Sequence, residues 1–271
     1  MAWPRALIFD VDGTLADTER DGHRIAFNRA FGDAGLDWVW SVDLYGKLLV
    51  VTGGKERIRY YLENFNQGFH CPKDLDAFIA DLHRAKTGHY VALMQQRAIP
   101  LRPGVERLLK EARMAGIRLA VATTTTAENV KALVDSTLPA GAIDWFEVVG
   151  AGDVVPNKKP APDIYTWVLE RMHLSPDQVV AFEDSAHGLE AAKGAGIECV
   201  LVTVNDYTAG QGFDAATAVF DTLGDEGSKA RPMVGPEPGG DVVDLAYIRT
   251  CLLYTSDAAD EMSEVGGWGG G

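Results

Sequence analysis

The sequence predicts an α/β fold: a doubly wound, Rossmann-like parallel sheet core with an α-helical cap domain inserted into it. Three observations carry this expectation. Short apolar runs without helical period recur along the chain, amphipathic stretches separate them, and one long interval holds helical patterns alone.

Residues 6–9 (Ala-Leu-Ile-Phe) run straight into acids and a glycine, as a strand buried on both faces would. Comparable runs follow at 118–122, 147–149, 179–182 and 199–202, and amphipathic stretches at 105–115, 127–136, 163–172 and 188–194 connect them. From about residue 17 to 97 the rhythm fails, and 24–34, 55–64 and 75–95 read as helices. The expected division is therefore a core of residues 1–16 and 97–250 and a cap of residues 17–96. Such a cap sits above the carboxyl ends of the strands, where open α/β sheets bind ligands. Residues 224–240 are rich in Gly and Pro and read as a loop, and 241–249 as a last core element. The string from Cys251 to Glu261 breaks the pattern and resembles a translated sequencing adapter. Residues 251–271 are expected to be a non-native, disordered tail, and a chain ending at Arg249 to keep its fold and activity.

Composition narrows the function. The chain has 271 residues, 46% of them hydrophobic, enough to bury a sizeable core. Its formal net charge of −14 argues against nucleic acid and anionic membranes as partners. Cys71, Cys199 and Cys251 show neither pairing nor metal-ligand spacing, as suits a reducing compartment. With no signal pattern and no stretch long enough to span a membrane, a soluble, cytoplasmic monomer is expected.

Four segments carry chemistry, each at or just beyond a strand end. Asp10 and Asp12 follow the first strand, and two acids one residue apart can divide labour. One attacks phosphorus as a nucleophile; the other protonates the leaving oxygen and then deprotonates water. Thr123, Thr124, Thr125 and Thr126 offer hydroxyls and backbone N–H groups at a helix start, a natural phosphate cradle. Lys159, before Pro160, can neutralise charge on the phosphoryl group. Glu183 and Asp184 end a second strand and with Asp10 can hold a hard cation such as Mg2+. Taken singly, each segment also reads as a helix cap, a turn or a surface charge; the four in order point to phosphoryl transfer.

Those segments resemble the four motifs of the haloacid dehalogenase-superfamily phosphatases, over residues 5–205. The resemblance implies Asp10 as nucleophile, Asp12 as general acid/base, and Thr123 and Lys159 as phosphate ligands. It places magnesium on Asp10, the Asp12 carbonyl and Asp184, with Glu183 in support. Asp12 argues against the dehalogenase branch, which lacks this acid. A closer similarity is to the CbbY-type phosphatases, which dephosphorylate xylulose 1,5-bisphosphate, an inhibitory by-product of Rubisco. It is carried by Thr18-Glu19, by Thr52-Gly53-Gly54-Lys55-Glu56-Arg57 and by His83-Arg84-Ala85-Lys86-Thr87. Thr123-Thr124-Thr125 with Asn129, and Lys158-Lys159-Pro160, complete it. By that similarity Glu19, Thr52, Gly53, Gly54, Lys55, His83, Arg84, Lys86, Thr124, Thr125 and Asn129 bind a phosphorylated sugar. The chain departs from the pattern over residues 210–231 and by one extra residue near 20–22.

Charge supports a substrate with a second anionic group, because Lys55, His83, Arg84 and Lys86 are cations gathered in an acidic chain. They are expected to clamp a distal phosphate while Asp10 attacks the proximal one. His23, His70, His89, His173 and His187 are assigned no role. The competing readings are a phosphosugar mutase, a phosphatase of phosphoglycolate or another small ester, and a phospho-accepting receiver module. The receiver module lacks the inserted helices.

Overall fold

Every side chain of Ala6–Phe9 is buried, and alternation along this strand, β1, sends Leu7 and Phe9 to one apolar cluster and Ala6 and Ile8 to another. This computed structural model describes residues 3–70, 72–96 and 99–265, with side chains as far as 255 in the last helix. Cys71 and the expected boundary at 96/97, which abuts residues 97 and 98, lie outside or at the edge of the described residues, as do residues 266–271.

Six more strands join β1: β2 (Arg118–Ala122), β3 (Phe146–Gly150), β4 (Val179–Glu183), β5 (Val200–Thr203), β6 (Ala218–Phe220) and β7 (Pro232–Val234). Their order is β3-β2-β1-β4-β5-β6-β7, parallel except for β7 against β6. The first five match the expected runs within a residue or two. β7 does not, since it falls inside the Gly/Pro-rich stretch expected to be loop. An outermost antiparallel strand needs few ladder bonds, so Pro232 is tolerated there.

The chain runs outward from β1 through β2 to β3, then crosses back and runs the other way from β4. The strand order thus reverses at β1, and a crevice opens at the carboxyl end of that strand. Helices α5 (Val105–Met114) and α6 (Ala127–Thr137) cover the Leu7 and Phe9 face, and α7 (Asp163–Met172) and α8 (Ala186–Gly194) the Ala6 and Ile8 face. Between β1 and β2 the chain is helical: a π-helical turn at Glu19–His23, then α1 (Arg24–Asp33), α2 (Val42–Leu48), α3 (Gly54–Asn64) and α4 (Leu75–Gln95). These helices close on an aromatic cluster of their own, built on Phe27, Phe31, Trp38, Trp40, Tyr45 and Tyr61.

The expectation of disorder from residue 251 is corrected. Helix α9 runs Leu245–Val265 and buries Cys251 and Leu252 with Leu245, Tyr247 and Ile248 in the sheet's larger cluster. The spacing 245, 248, 252 and 247, 251 continues one helical face past residue 250, and burial follows that periodicity. A chain ending at Arg249 would therefore lose the burial of two core side chains, about 1.5–3 kcal/mol for the leucine alone.

Candidate active site

β1, β2 and β4 end side by side, so residues 10–14, 123–126 and 183–185 leave the sheet at one edge. The Asp10 N–H extends the ladder by donating to the Phe182 carbonyl at 3.0 Å. The buried Asp10 carboxylate accepts from Lys159 Nζ at 2.7 Å, and the same ammonium donates to Glu183 Oε1 at 2.6 Å. Glu183 Oε1 also accepts from the Tyr165 hydroxyl at 2.5 Å, and the Tyr165 ring lies 5.3 Å from the ammonium. Burial alone would favour a neutral Lys159, but Asp10 and Glu183 outweigh it and hold the lysine charged.

Asp10, Glu183 and Asp184 each offer a buried carboxylate oxygen, all within 4.8 Å of one another. At an effective dielectric constant near 20, two unit charges at that separation repel by about 3 kcal/mol. Lys159 offsets one of three such charges. The imbalance appears in the acids themselves: burial first, then Glu183 and Asp12, raise Asp10 to about 7 against the pull of Lys159. Burial, Asp10 and Glu183 raise Asp184 well above the usual range. A cluster of hard oxygen donors short of positive charge fits a hard divalent cation.

The three acids are not equivalent. Glu183 spends one oxygen on Lys159 and Tyr165, and Gly188 is packed against the other so closely that a Cβ there would overlap it. Glu183 is thus a buttress for Lys159. Asp184 Oδ2 instead accepts from Asn205 Nδ2 at 2.7 Å, which leaves its second oxygen for a cation. Gly13 makes the approach possible, since at φ +89° its missing Cβ would collide with the Asp184 carboxylate.

Asp12 faces elsewhere. Its Oδ1 accepts from the Thr18 hydroxyl at 2.5 Å and meets His23 Nε2 at 2.7 Å. His23 Nδ1 in turn meets Lys86 Nζ at 2.6 Å, and the His23 ring stacks on Tyr90 at 4.3 Å. Burial would raise the Asp12 carboxyl, but His23, Thr18 and Lys86 together hold it well below the usual range. The buried Lys86 sits near the rings of Phe27 and Tyr90, and burial lowers it to about 8 against Asp12 and Glu19. Two expectations are corrected here. His23 is a partner of Asp12, and Lys86 stands behind His23 instead of reaching toward a distal phosphate. The signal for His23 was the extra residue near 20–22. The π-helical turn at Glu19–His23 absorbs one residue without breaking the helix.

The pocket between sheet edge and helices is lined by Asp10, Asp12, Thr123, Thr124, Lys159 and Asp184 below, and by Glu19, Leu49, Thr52 and Arg57 above. Arg57, carried in the expected 52–57 segment but given no role of its own, is buried and donates to the Tyr45 hydroxyl at 2.6 Å. Glu19 accepts from Tyr45 and, at 3.4 Å, from Arg57. Thr52 donates to the Lys159 carbonyl and so ties the helical layer to the segment that carries Lys159. The Thr123 N–H is fixed by the Gly150 carbonyl at 2.9 Å, its Oγ1 accepts from the Thr125 N–H, and Asn129 Nδ2 donates to Thr125 Oγ1 at 2.9 Å. Thr125 and Asn129 thus brace the cradle from behind; Asn129 Oδ1 has no partner among the described residues.

The expected clamp is not assembled. Arg84 lies on the exposed face of α4, paired with Asp81 at 2.9 Å, because its position on the helix is three residues from an acid and away from the pocket. Lys55 Nζ reaches Asp153 at 2.5 Å, in the loop after β3, and Lys158 meets the same acid. His83 packs on Gly54, whose missing side chain makes room for the ring, while Gly53 takes φ +90° to start α3. Burial first, then Lys86 and Lys55, push His83 down to about 3.

Three further residues went unforeseen. Tyr165 and Asn205 occupy positions no motif marks. Arg102, on the return segment into α5, is buried and donates to the carbonyls of Gly13, Thr203, Val204 and Asp221. Its only sequence signal was its place between two prolines, which does not announce a buried guanidinium. Among the described residues no helix is long and apolar enough to cross a membrane, and Cys199 and Cys251 are free, buried thiols.

Comparison with known proteins shows the family and the fold. A family model for haloacid dehalogenase-like hydrolases matches residues 4–196. The chain is 50% identical over 212 residues to CbbY from Rhodobacter capsulatus, covering 78% of this chain and 90% of that one. Crystal structures of CbbY from Rhodobacter sphaeroides in complex with phosphate, and of a mutant form in complex with xylulose-(1,5)bisphosphate, superpose with a TM-score of 0.75 at 47% identity. They cover 81% of this chain and 94% of theirs. The chain belongs to the haloacid dehalogenase-like hydrolases, and within them it is a phosphatase of the CbbY type.

Proposed function

We propose that this phosphatase hydrolyses xylulose 1,5-bisphosphate through a phospho-Asp10 intermediate, with Mg2+ as cofactor, as a cytoplasmic monomer. The reading is supported by the sugar bisphosphate bound to the similar CbbY structure. A pocket lined by residues of one chain, and the free thiols of Cys199 and Cys251, suit the monomer and the compartment. The observation that carries the chemistry is the division between two acids two residues apart. Asp10 faces Lys159 and the cation-short cluster, whereas Asp12 faces Thr18 and His23 at the same pocket.

In this mechanism Asp12, ionised in the free enzyme, takes a proton from the incoming phosphate monoester; an Asp10 oxygen then attacks phosphorus and the bond from phosphorus to the sugar oxygen breaks, while Asp12 gives that proton to the sugar oxygen. Asp12, now a carboxylate, takes a proton from water as the water attacks the acyl phosphate. Inorganic phosphate leaves and both aspartates return to their starting states. Lys159 and the Thr123 hydroxyl hold the phosphoryl oxygens. Magnesium, held by Asp10, Asp184 and the Asp12 carbonyl, would supply charge stabilisation for the transferred group. Glu183 keeps Lys159 charged and aimed. On the helical wall Arg57, Glu19 and Thr52 line the space for the sugar, and at the rim Lys55 exchanges Asp153 for the distal phosphate.

A phosphate-release screen with MgCl2 across sugar mono- and bisphosphates tests the reading. The expected result is the highest kcat/KM for xylulose 1,5-bisphosphate. A higher value for a monophosphate, or an isomerised sugar phosphate as product, would overturn it.

A further inference from the structure

The loop after β5 joins the cation cluster to the helical layer, and its residues carry none of the motifs. Asn205 uses both ends of its amide. Nδ2 donates to Asp184 Oδ2 at 2.7 Å, and Oδ1 accepts from the Tyr207 N–H at 2.9 Å. The loop is further closed on itself, because the Asn205 N–H donates to Thr208 Oγ1 at 3.0 Å and the Asn205 carbonyl accepts from Ala209 N at 3.0 Å. A single rigid turn therefore fixes where the Asn205 amide points.

What holds that turn lies across the crevice. The Tyr207 side chain leaves the core and packs against the aromatic cluster of the inserted helices, with its ring 6.2 Å from that of Tyr45 in a T-shaped contact. Gly46 on α2 is the matching surface: a Cβ there would lie 3.2 and 3.3 Å from two Tyr207 ring carbons, closer than ordinary contact allows. The Tyr207 hydroxyl is buried and has no partner among the described residues, so the ring is what seats the residue. The neighbouring Arg20–Asp206 pair, at 3.3 Å with both side chains exposed, adds little.

We infer that Asn205 and Tyr207 form a strut, with Asn205 as the positioning residue for Asp184 and Tyr207 as its anchor in the helical layer. The inference rests on the proposal that Asp184 holds magnesium. It makes cation affinity depend on whether the helices sit down on the sheet edge. A carboxylate free to rotate holds a cation less well than one aimed by a hydrogen bond, and here the aiming group is itself held from the opposite wall of the pocket. The consequence is a reciprocal coupling: a seated helical layer favours magnesium, and magnesium favours the seated layer.

Calorimetric titration of MgCl2 alone into the metal-free full chain tests this. The wild-type chain binds; Asn205→Ala weakens binding about tenfold, the low end for partners of metal ligands. Tyr207→Ala also weakens it several-fold, although Asp184 bonds to Asn205 and not to Tyr207, whereas Tyr207→Phe matches the wild type. Neither Asn205 nor Tyr207 is fully buried, and near-ultraviolet circular dichroism of each variant establishes that it is folded. Wild-type affinity in Asn205→Ala would overturn the positioning role, and wild-type affinity in a folded Tyr207→Ala would overturn the anchor, even if its Tm had dropped. Absence of binding by the wild-type chain would overturn the magnesium reading itself, and the strut with it.

Discussion

Asp10 and Asp12 stand two residues apart, yet different regions of the molecule hold them. The sheet side supplies Lys159, Thr14 and the Phe182 carbonyl for Asp10, from the loop between β3 and α7, the turn after β1 and strand β4. For Asp12 the partners are Thr18 and His23, with Lys86 of α4 behind, at the start of the inserted helices or within them. One acid is fixed by a closely packed sheet and the other by the layer above it. In the proposed mechanism this difference gives attack and proton transfer separate supports. A nucleophile must be in place whenever substrate arrives, while the acid is needed only once the helical layer has closed over the substrate and excluded water.

Variants can break that division, beginning with the largest effect. Asp10→Asn should remove phosphatase activity by a factor of about 10⁵ or more, as loss of a nucleophile does, with the thermal transition retained. Near-normal turnover would end the assignment. His23→Leu and Lys86→Met should each lower kcat by about a hundredfold, the low end of the range for general acid–base catalysis. Because Lys86 is placed behind Asp12, the loss should be the same for mono- and bisphosphates. A rise in KM confined to bisphosphates would instead return Lys86 to the clamp.

Arg102→Met addresses the sheet side. Four carbonyls would lose a buried donor, each costing about 1–3 kcal/mol unless water replaces it. A drop in Tm of well over 5 °C is expected, and an unchanged Tm would show that the guanidinium is dispensable. The smallest effect concerns His83 on the helical side. Its folded value near 3 lies below the ordinary 6.5, so the unfolded chain binds the extra proton first. That contribution to stability is complete above about pH 6.5 and is lost as pH falls toward 3. His83→Gln should flatten the fall in Tm between pH 7 and pH 4.5; an unchanged slope would assign that fall to other groups.

The first five strands were legible because each is a short, largely apolar run without helical period. β1, followed at once by Asp10, and β4, ending at Glu183, need no tertiary knowledge to find. β7 was not legible, since its three residues lie in a Gly/Pro-rich segment and depend on β6 for their pairing. The helical wall was the harder part. Lys86 and Arg84 are two residues apart in one cationic segment, yet one is buried on His23 and the other exposed beside Asp81. At 3.6 residues per turn, neighbours two apart point to opposite sides of a helix, and a count of cations cannot tell which side faces the acid. His23 was hidden for a related reason, because a π-helical turn shifts every later side chain around the axis.

The most direct test of the central claim is to trap the intermediate with the two supports separated. In Asp12→Ala the nucleophile and its sheet partners are intact and the acid/base is gone. p-Nitrophenyl phosphate, whose leaving group needs no proton, should then phosphorylate the enzyme in the presence of MgCl2 faster than water can clear it. Borohydride reduction after a quench converts an aspartyl phosphate to homoserine, which peptide mass spectrometry locates. The account predicts homoserine at position 10 in Asp12→Ala and none in the Asp10→Asn, Asp12→Ala double variant. Homoserine at any other position, or phosphate release by the double variant at the rate of Asp12→Ala alone, would contradict it.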